Sequence, residues 1–504
     1  MRSLWLPSLL SLLAGLAHAA AMAAPWDGQP RWWLQLLALG LLAWFVEGAS
    51  SWRRAALWGW LFALAWLTGT FWWLFISLHT YAGLPAMLAV LAVLALAGVL
   101  ALYYAVACGA LVAMAPASKA WRAILFAATW TLAELARGRW FTGFSWGASG
   151  YAHVDGLLAG YAPWLGVYGL GALAAWLAMA LPRALACGVW QRVVVLAVLT
   201  LPSVYQAGEP ALSQSAGRLQ VTLLQGNIAQ DEKFQPGSGV PLALKWYGEQ
   251  WRDSKTELVV APETAIPLFP QQLAPGYWDA IEKRFSSGPQ AALIGVPLGN
   301  YKEGYTNSVI GLKPGQAAPW RYDKQHLVPF GEFIPPFFKW FTAMMDIPLG
   351  DFKRGAVGQA SFEWQGQRLA PNICYEDLFG EELGARFIDP ATAPTIFVNS
   401  SNIAWFGNTV AIDQHLQISR MRALEFERPF IRATNTGATA VVDHHGRVTA
   451  SLPRHTQGVL VAEVEGRTGT TPYAWWVARF GLWPLWLGGL ALVLLGMGRR
   501  RSKL

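Results

Sequence analysis

Long apolar segments constrain the fold of this sequence more than any other feature, because about 20 apolar residues suffice to cross a bilayer as a helix. Seven such segments precede the middle of the chain and an eighth closes it: Leu4 to Ala24, Trp32 to Gly48, Ala55 to Leu78, Leu84 to Ala115, Trp121 to Ala136, Leu157 to Leu181, Val193 to Tyr205 and Ala474 to Met497. The intervening block has the composition of a soluble protein. We therefore predict a membrane domain at 1–209, a water-facing domain at 210–468, and a closing membrane helix with a basic tail at 469–504.

Basic residues in the short connections predict the orientation, because Lys and Arg are concentrated on the cytoplasmic side of membrane proteins. Eleven lie on one side (Arg2, Arg53, Arg54, Lys119, Arg122, Arg183, Arg192, Arg499, Arg500, Arg501 and Lys503) and three on the other (Arg31, Arg137 and Arg139). Both termini are thus predicted to be cytoplasmic, which places 210–468 in the periplasm of a bacterium. The first segment could instead be a cleaved signal peptide, and this alternative leaves the downstream topology unchanged.

The remaining charge pattern indicates no nucleic-acid partner. Much of the net charge of +8 falls in the same short connections, so it reports topology. Glu134 and Arg137 lie three residues apart at the end of the fifth segment. A charge near the membrane is often functional, but this spacing favours a pair on one helix face.

Cys374 is the single thiol of the water-facing block, because Cys108 and Cys187 both belong to the predicted membrane domain. Three Cys so placed exclude a disulfide framework. Cys374 ends a short apolar run, typical of a buried strand, and precedes helix formers that begin with Asp377, a capping residue type. Amides at a helix start would favour the thiolate and receive an oxyanion. Without partners, such a Cys is more often an inert core residue.

Short β-rich runs alternate with helical intervals through the block, which predicts an α/β sandwich. The runs are Leu219 to Leu224, Leu258 to Ala261, Ala291 to Val296, Ser308 to Leu312, Arg368 to Ile373, Thr395 to Val398, Phe430 to Thr434, Ala438 to Val442 and Gly458 to Val464. The helical intervals are Pro241 to Ser254, Gly276 to Phe285, Leu378 to Phe387 and Val410 to Phe426. The sequence has no phosphate-binding glycine motif and no His-Glu-x-x-His, so we expect no nucleotide, metal or other cofactor.

Polar residues of three chemical types follow predicted strands. Glu263 follows the run that ends at Ala261, Lys324 follows Trp320 to Asp323, and Cys374 follows Ile373. Catalytic groups converge at the carboxyl ends of strands in α/β folds. A carboxylate can take the thiol proton, and an ammonium can stabilise the thiolate and a later oxyanion. The alternatives are that Glu263 is a plain loop residue and that Lys324 is a surface charge. The joint occurrence of the carboxylate, the ammonium and the thiol disfavours both alternatives.

These residues resemble the Glu-Lys-Cys triad of the nitrilase, or carbon-nitrogen hydrolase, superfamily. The motifs are Pro262-Glu263, Tyr322-Asp-Lys-Gln-His-Leu-Val-Pro-Phe-Gly-Glu332 and Asn372-Ile-Cys-Tyr-Glu376. With the membrane segments added, nearly the whole chain resembles the apolipoprotein N-acyltransferase family. Further matching stretches are Gln225-Gly-Asn-Ile228, Asn402-Ile-Ala-Trp-Phe-Gly407, Arg420-Met-Arg-Ala-Leu-Glu425 and Arg432-Ala-Thr-Asn-Thr-Gly437.

The resemblance implies an αββα sandwich and a two-step acyl transfer in the bacterial inner membrane. Cys374 would take the sn-1 acyl chain of a phospholipid, typically phosphatidylethanolamine, as a thioester, and the amine of a lipoprotein's diacylglyceryl-cysteine would accept it. Glu263 matches the general base and Lys324 the oxyanion-stabilising lysine, whereas Glu332, Tyr375 and Glu376 match supporting positions. We expect a monomer whose partners are the bilayer, the phospholipid and the apolipoprotein.

Apolar residues near these motifs are candidates for lipid access. The run Phe333 to Leu349, with Phe338 and Phe341, is strongly apolar for a loop. It could pack in the core, or it could be an arm that dips into the bilayer, which we favour. Trp405 and Phe406 would form the opposite lip.

Two positions depart from the family pattern. Ile403 stands where many relatives are expected to have Asp, and Phe234 stands where Trp is usual. Phe234 is also a candidate residue of the substrate entrance. Both leave the headgroup preference and lid behaviour open. The competing functions are a membrane-tethered amidase, in which water accepts the acyl group, and a membrane scaffold or permease with no covalent chemistry.

Overall fold

The chain forms two compact units, residues 1–211 with 480–504 and residues 212–479. The computed structural model describes residues 5–114, 118–184, 189–207, 212–316, 318–334 and 352–501. The second unit ends later than the predicted boundary at 468. The reason is that Tyr473 packs its ring 5.3 Å from that of Phe426, and Thr471 donates a 2.7 Å hydrogen bond to the carbonyl oxygen of Glu425.

The first unit is helical. Its helices before the second unit are α1 (Trp5–Met22), α2 (Trp32–Glu47), α3 (Trp52–Phe71), α4 (Leu74–Tyr81), α5 (Ala86–Met114), α6 (Lys119–Arg139), α7 (Ala162–Ala184) and α8 (Val189–Ala207). A last helix, Trp483–Arg501, follows the second unit.

Three helices among the described residues are long and apolar enough to cross a membrane: α1, α5 and the segment Ala159–Pro182. The number rises to five if two bent pairs each count as one span, α3 with α4 (60°) and Pro472–Phe480 with Trp483–Gly498 (86°). The helical character of this region is thus supported, whereas eight crossings are not confirmed. One reason is that α6 carries five charged residues. The predicted closing crossing, Ala474 to Met497, falls on this second bent pair, where the chain turns at Gly481 with φ +53°.

Glu134 and Arg137 are both buried in α6 and attract each other, as the predicted pair requires, but their hydrogen bonds go to other partners. Glu134 Oε1 instead accepts hydrogen bonds from the backbone N–H of Ser149 (2.7 Å) and from its hydroxyl (2.8 Å). Arg137 donates to the Tyr104 hydroxyl at 2.9 Å and to two carbonyl oxygens of the following loop, residues 144 and 146, at 2.7 and 2.8 Å. The two charges therefore hold the chain that follows α6.

The second unit contains two six-stranded sheets. Its strands are β1 (Ser213–Gln225), β2 (Leu258–Val260), β3 (Ala291–Asn300), β4 (Gly304–Leu312), β5 (Trp320–Asp323), β6 (Phe362–Trp364), β7 (Gln367–Ile373), β8 (Ile396–Ser401), β9 (Phe430–Thr434), β10 (Ala440–Val442), β11 (Val448–Ser451) and β12 (Gly458–Gly469). The orders are β12-β1-β2-β3-β4-β5 and β11-β10-β9-β8-β7-β6. Three central strands are parallel in each sheet, β1-β2-β3 and β7-β8-β9.

The two sheets pack face to face through alternate residues of their strands, as period-two side chains require. Leu258 and Val260 of β2 share a core with Ile396 and Val398 of β8, whereas Val259 faces away from it. The side chain of Val259 packs against the helical layer outside the first sheet. The predicted sandwich is confirmed, and β6 and β11 are strands that the sequence pattern did not reveal.

Helices cover the outer faces of both sheets. They are α9 (Gly239–Asp253), α10 (Tyr277–Ser286), α11 (Gly380–Gly384), α12 (Ala411–Phe426) and α13 (Pro472–Phe480). Tyr247 and Trp251 of α9 and Phe285 of α10 bury against the first sheet. On the second sheet, Phe426 of α12 meets Phe397 of β8 with ring centroids 5.4 Å apart.

Candidate active site

Three strands end at the same region of the sandwich and supply the predicted triad. Glu263 follows β2, Lys324 follows β5 directly, and Cys374 follows β7 directly. The Glu263 carboxylate and the Lys324 ammonium both act electrostatically on the Cys374 thiol. The structure therefore brings the three groups together, although 61 positions separate Glu263 from Lys324 and more separate Glu263 from Cys374.

Glu263 is held by both carboxylate oxygens. Oε1 accepts a 2.6 Å hydrogen bond from the Asn307 side-chain amide and lies 3.4 Å from Lys324 Nζ. Oε2 accepts a 2.8 Å hydrogen bond from the backbone N–H of Asn402, directly after β8. The side chain is almost fully buried, so its orientation is set by groups from three separate strands.

The loop that carries Glu263 packs closely on β3. A Cβ on Gly295 would lie 2.2 Å from the Pro262 carbonyl oxygen and 2.9 Å from Glu263 Cα, so only glycine fits there. Thr264 has φ +47°, a left-handed conformation that is strained for a β-branched residue. Tertiary contacts must therefore maintain this loop.

Lys324 is buried between two carboxylates. Its Nζ lies 2.8 Å from Glu332 Oε1, and the Asn307 amide donates to the same oxygen at 2.9 Å. Burial by itself lowers the pKa of Lys324, but Glu263 and Glu332 raise it well above its ordinary value. The lysine is consequently an ammonium at any physiological pH, as an oxyanion-stabilising group must be.

Cys374 occupies a sharp turn in which its own φ is +55°. The turn continues as a 3-10 helix, Cys374–Leu378, and residue Cys374 as a whole is only partly buried. The carbonyl oxygen of Cys374 accepts hydrogen bonds from Asn399 (2.8 Å) and His415 (3.2 Å), which hold this strained backbone. A nucleophile on such a turn projects from the sheet edge, where a substrate can reach it.

The resting thiol is neutral, contrary to the thiolate that the predicted helix start favoured. Burial raises the pKa of Cys374 to about 12, and Glu263 adds to the increase, whereas Lys324 and the Ser401 hydroxyl oppose it. A thiol of this kind needs a base to take its proton as it attacks. Glu263 is the carboxylate that acts most strongly on it.

Glu376 and Tyr375 join the nucleophile turn to the loop that carries Lys324. Glu376 accepts hydrogen bonds from the backbone N–H groups of Gln325 (2.7 Å) and His326 (3.1 Å), and the Tyr375 hydroxyl donates to the carbonyl oxygen of Leu327 at 2.7 Å. The second oxygen of Glu376 takes two more donors. Both residues thus link the two loops that carry Cys374 and Lys324.

A buried ionic network lies beneath the nucleophile. Asp377 is fully buried and contacts Arg432 (3.2 Å) and His415 (3.1 Å), so it does not cap a helix as predicted. His415 Nδ1 lies 3.0 Å from an Arg432 N–H, so Nδ1 accepts and Nε2 carries the proton that faces Cys374. Burial raises the pKa of Asp377, but His415 and Arg432 outweigh it and hold the pKa below its ordinary value.

Sequence reasoning missed three residues of the site. Asn307 and Asn402 orient the carboxylates, and the Nζ of Lys233, from the loop after β1, donates a 2.9 Å hydrogen bond to the carbonyl oxygen of Glu263. Asn402 lay in a recognised stretch, but without a role. No local pattern marks Asn307, which lies within a strand, or Lys233, which lies in a polar loop.

The structure describes three of the five predicted access residues, Phe234, Trp405 and Phe406. Phe234 is 50% exposed beside Lys233, and Trp405 is 41% exposed on the turn that follows Asn402. Phe406, on the same turn, is half-buried. Phe338 and Phe341 lie outside the described residues, as does most of the predicted arm.

Within the described ranges, no group of three or more His, Cys, Asp or Glu side chains could hold a metal ion. The groups that do converge are a thiol, a carboxylate that can accept its proton, and an ammonium. This set can carry out acyl transfer by covalent catalysis.

Two family models match the chain. The description "Apolipoprotein N-acyltransferase N-terminal domain" fits residues 14–180, and "Carbon-nitrogen hydrolase" fits residues 220–473. The apolipoprotein N-acyltransferase of Verminephrobacter eiseniae is 60% identical over 502 residues, covering 94% of this chain and 92% of its own. The one from Ralstonia nicotianae is 44% identical, covering 98% and 93%. A solved amidase of the nitrilase superfamily from Nesterenkonia AN1 is 16% identical, with a TM-score of 0.39, covering 55% of this chain and 100% of that chain.

Proposed function

The chain belongs to the apolipoprotein N-acyltransferase family and is an N-acyltransferase of lipoprotein maturation, and on this premise we propose that it moves a phospholipid acyl chain through a thioester on Cys374. The donor is a membrane phospholipid cleaved at sn-1, typically phosphatidylethanolamine. The acceptor is the N-terminal amine of a diacylglyceryl-cysteine.

In the first step, Cys374 Sγ attacks the ester carbonyl carbon while Glu263 takes the thiol proton. The carbonyl oxygen becomes an oxyanion, which the Lys324 ammonium stabilises. When the carbon–oxygen bond breaks, Glu263 returns the proton to the leaving oxygen. The products are a lysophospholipid with a free hydroxyl and an acyl thioester.

In the second step, the neutral amine of the lipoprotein attacks the thioester carbonyl. Glu263 takes one amine proton, the carbon–sulfur bond breaks, and the proton passes to the Cys374 sulfur. An amide is formed and the thiol is regenerated. A thioester retains enough acyl-transfer potential for an amine to accept the chain, so we propose that the reaction needs no cofactor.

One observation carries this proposal: a neutral thiol at a left-handed turn lies within electrostatic reach of a carboxylate and an ammonium that are both held in place. The amides of Asn307 and Asn402 and the ammonium of Lys324 orient the Glu263 carboxylate, and these bonds do not involve the Cys374 thiol. That arrangement suits a nucleophile that is activated only when substrate arrives.

The cellular setting follows from the sequence pattern. We propose a monomeric, multi-pass protein of the bacterial inner membrane, crossing about eight times, with both termini in the cytoplasm and residues 210–468 in the periplasm. We further propose that Phe234, Trp405 and Phe406, with Phe338 and Phe341, admit the acyl chain from the bilayer.

The test is intact-protein mass spectrometry after incubation with phosphatidylethanolamine vesicles, comparing the native chain with Cys374→Ser. We expect a hydroxylamine-labile acyl mass on the native chain alone. Addition of a diacylglyceryl peptide should then discharge the acyl group and yield a triacylated peptide. Free fatty acid in place of that peptide would identify the amidase, and the lack of any adduct would favour the scaffold.

A further inference from the structure

Lys233 is a buried lysine that has no part in the two steps above. It lies in the loop between β1 and α9, and it is 2% exposed. Its Nζ donates to the Glu263 carbonyl oxygen at 2.9 Å and lies 5.8 Å from the Phe234 ring centroid. A buried ammonium is costly unless nearby charge compensates it. Glu263 is the charged group that compensates it at rest, and Cys374 adds to this only as a thiolate.

The charges of the catalytic centre do not balance without this lysine. Glu263 and Glu332 contribute two negative charges, and Lys324 contributes one positive charge. A buried excess of negative charge disfavours a thiolate at Cys374. Lys233 brings the total to zero and so removes the excess negative charge that opposes the thiolate.

The other charged groups near the thiol are already balanced. Asp377 pairs with Arg432 at 3.2 Å. Glu376 is attracted to both Lys324 and Arg386. His415, packed under the turn, is kept neutral because burial and Arg432 lower its pKa more strongly than Asp377 raises it. Arg432 also acts on Cys374, but its charge is already paired with that of Asp377.

We propose that Lys233 is a second cation of the catalytic centre, a positioning residue that fixes the Glu263 main chain and, by cancelling the excess negative charge, favours the Cys374 thiolate that forms when Glu263 takes its proton. This inference deepens the proposed function and rests on it for the roles of Glu263 and Cys374. Lys233 does not contact the reacting acyl group; it acts through these two residues.

The position of the hydrogen bond is consistent with this role. It reaches the peptide between Glu263 and Thr264, where the backbone is in the strained left-handed region. Loss of the bond would release this peptide and the carboxylate with it.

Burial lowers the pKa of Lys233 to about 8, although Glu263 and Cys374 raise it. The Lys233 ammonium is thus present at neutral pH and is lost as the pH rises above about 8.

The test measures the rate of Cys374 alkylation by iodoacetamide against pH, across the Lys233 pKa of about 8. The full chain in detergent carries Cys108→Ala and Cys187→Ala, so that only one thiol reacts. Lys233→Met removes the charge, Lys233→Arg retains it, and Lys245→Met changes an exposed lysine of α9 as a control.

Below that pH we expect Lys233→Met to react about tenfold more slowly than the native chain, because a nearby cation lowers a thiol pKa by about one unit or more. Above it the two curves should converge, since the native lysine has then lost its charge. Lys233→Arg should retain the fast rate at every pH, and Lys245→Met should match the native chain.

Equal rates for Lys233→Met and the native chain would overturn the proposal, as would an Arg variant as slow as the Met variant. Failure of both Lys233 variants to fold would also overturn it, because the lysine would then serve the fold. Alkylation needs no acyl donor. If the native chain forms no acyl-enzyme but the rate difference persists, only the proposed function fails.

Discussion

Lys324 lies closer to Glu332 than to Glu263: its Nζ is 2.8 Å from Glu332 Oε1 and 3.4 Å from Glu263 Oε1. Glu332 is therefore the nearer of the two carboxylates that stabilise the ammonium. The Glu263 carboxylate remains available for a proton, because its other donors are the amides of Asn307 and Asn402.

Glu332→Gln should reduce acyl transfer by about 100-fold, a loss typical of removing one preorganised charge in an active site. Without Glu332, Lys324 would pair with Glu263 and weaken the base. The measurement is the rate of triacylated peptide formation by the purified protein. Glu303→Gln, on the exposed turn between β3 and β4, is the control; a Glu332 variant as active as this control would refute the assignment.

Gly295→Ala should impair activity more than stability. Its new Cβ would lie 2.2 Å from the Pro262 carbonyl oxygen, so the Glu263 loop must move at a cost of about 1–3 kcal/mol. A displaced base should lower the rate of acyl-enzyme formation by at least about tenfold. Gly237→Ala is the matched control, since nothing lies within 4 Å of its added Cβ. Normal thioester formation by the Gly295 variant would contradict this account of the loop.

Asp377→Asn should destabilise the second unit strongly, because Arg432 would lose its carboxylate inside the protein. Breaking a buried pair costs about 3–5 kcal/mol, and we expect Tm to fall by roughly 5–15 °C. Asp253→Asn breaks only an exposed pair with Arg252 and should change Tm little.

The same carboxylate predicts a pH dependence. The pKa of Asp377 is held below its ordinary value of 3.8, so the stability it contributes is complete above that pH and is lost as the pH falls further. Thermal unfolding of the native chain and of Asp377→Asn should therefore differ most near neutral pH and converge in acid. A constant difference throughout would exclude this linkage.

Arg137→Lys should loosen the chain that follows α6. An ammonium cannot reproduce the planar fork that bonds the Tyr104 hydroxyl and the carbonyl oxygens of Phe144 and Trp146. We expect a Tm several degrees lower, corresponding to about 1–3 kcal/mol. The control is Arg139→Lys, since Arg139 is exposed at the end of the same helix. Equal Tm values for the two variants would show that Arg137 does not anchor this loop.

Much of the second unit could be predicted from the sequence, because its strands alternate and its catalytic residue types follow them. The runs around Leu258 and Phe430 are strands at nearly their predicted bounds. β6 and β11 were missed because each is short, with three and four residues, and carries little apolar periodicity. The closing membrane segment was predicted as one helix because apolarity along a chain does not record the bend at Gly481.

The sequence by itself determined which residue types follow which strands, and hence that Glu263, Lys324 and Cys374 lie at one end of the sandwich. Only the tertiary structure decided how those groups are charged and held. Burial makes the Cys374 thiol neutral, and Asn307, Asn402 and Lys233 reach Glu263 from distant parts of the chain. The physical reason is that desolvation and contacts across 30 to 139 positions depend on three-dimensional packing, which no local pattern encodes.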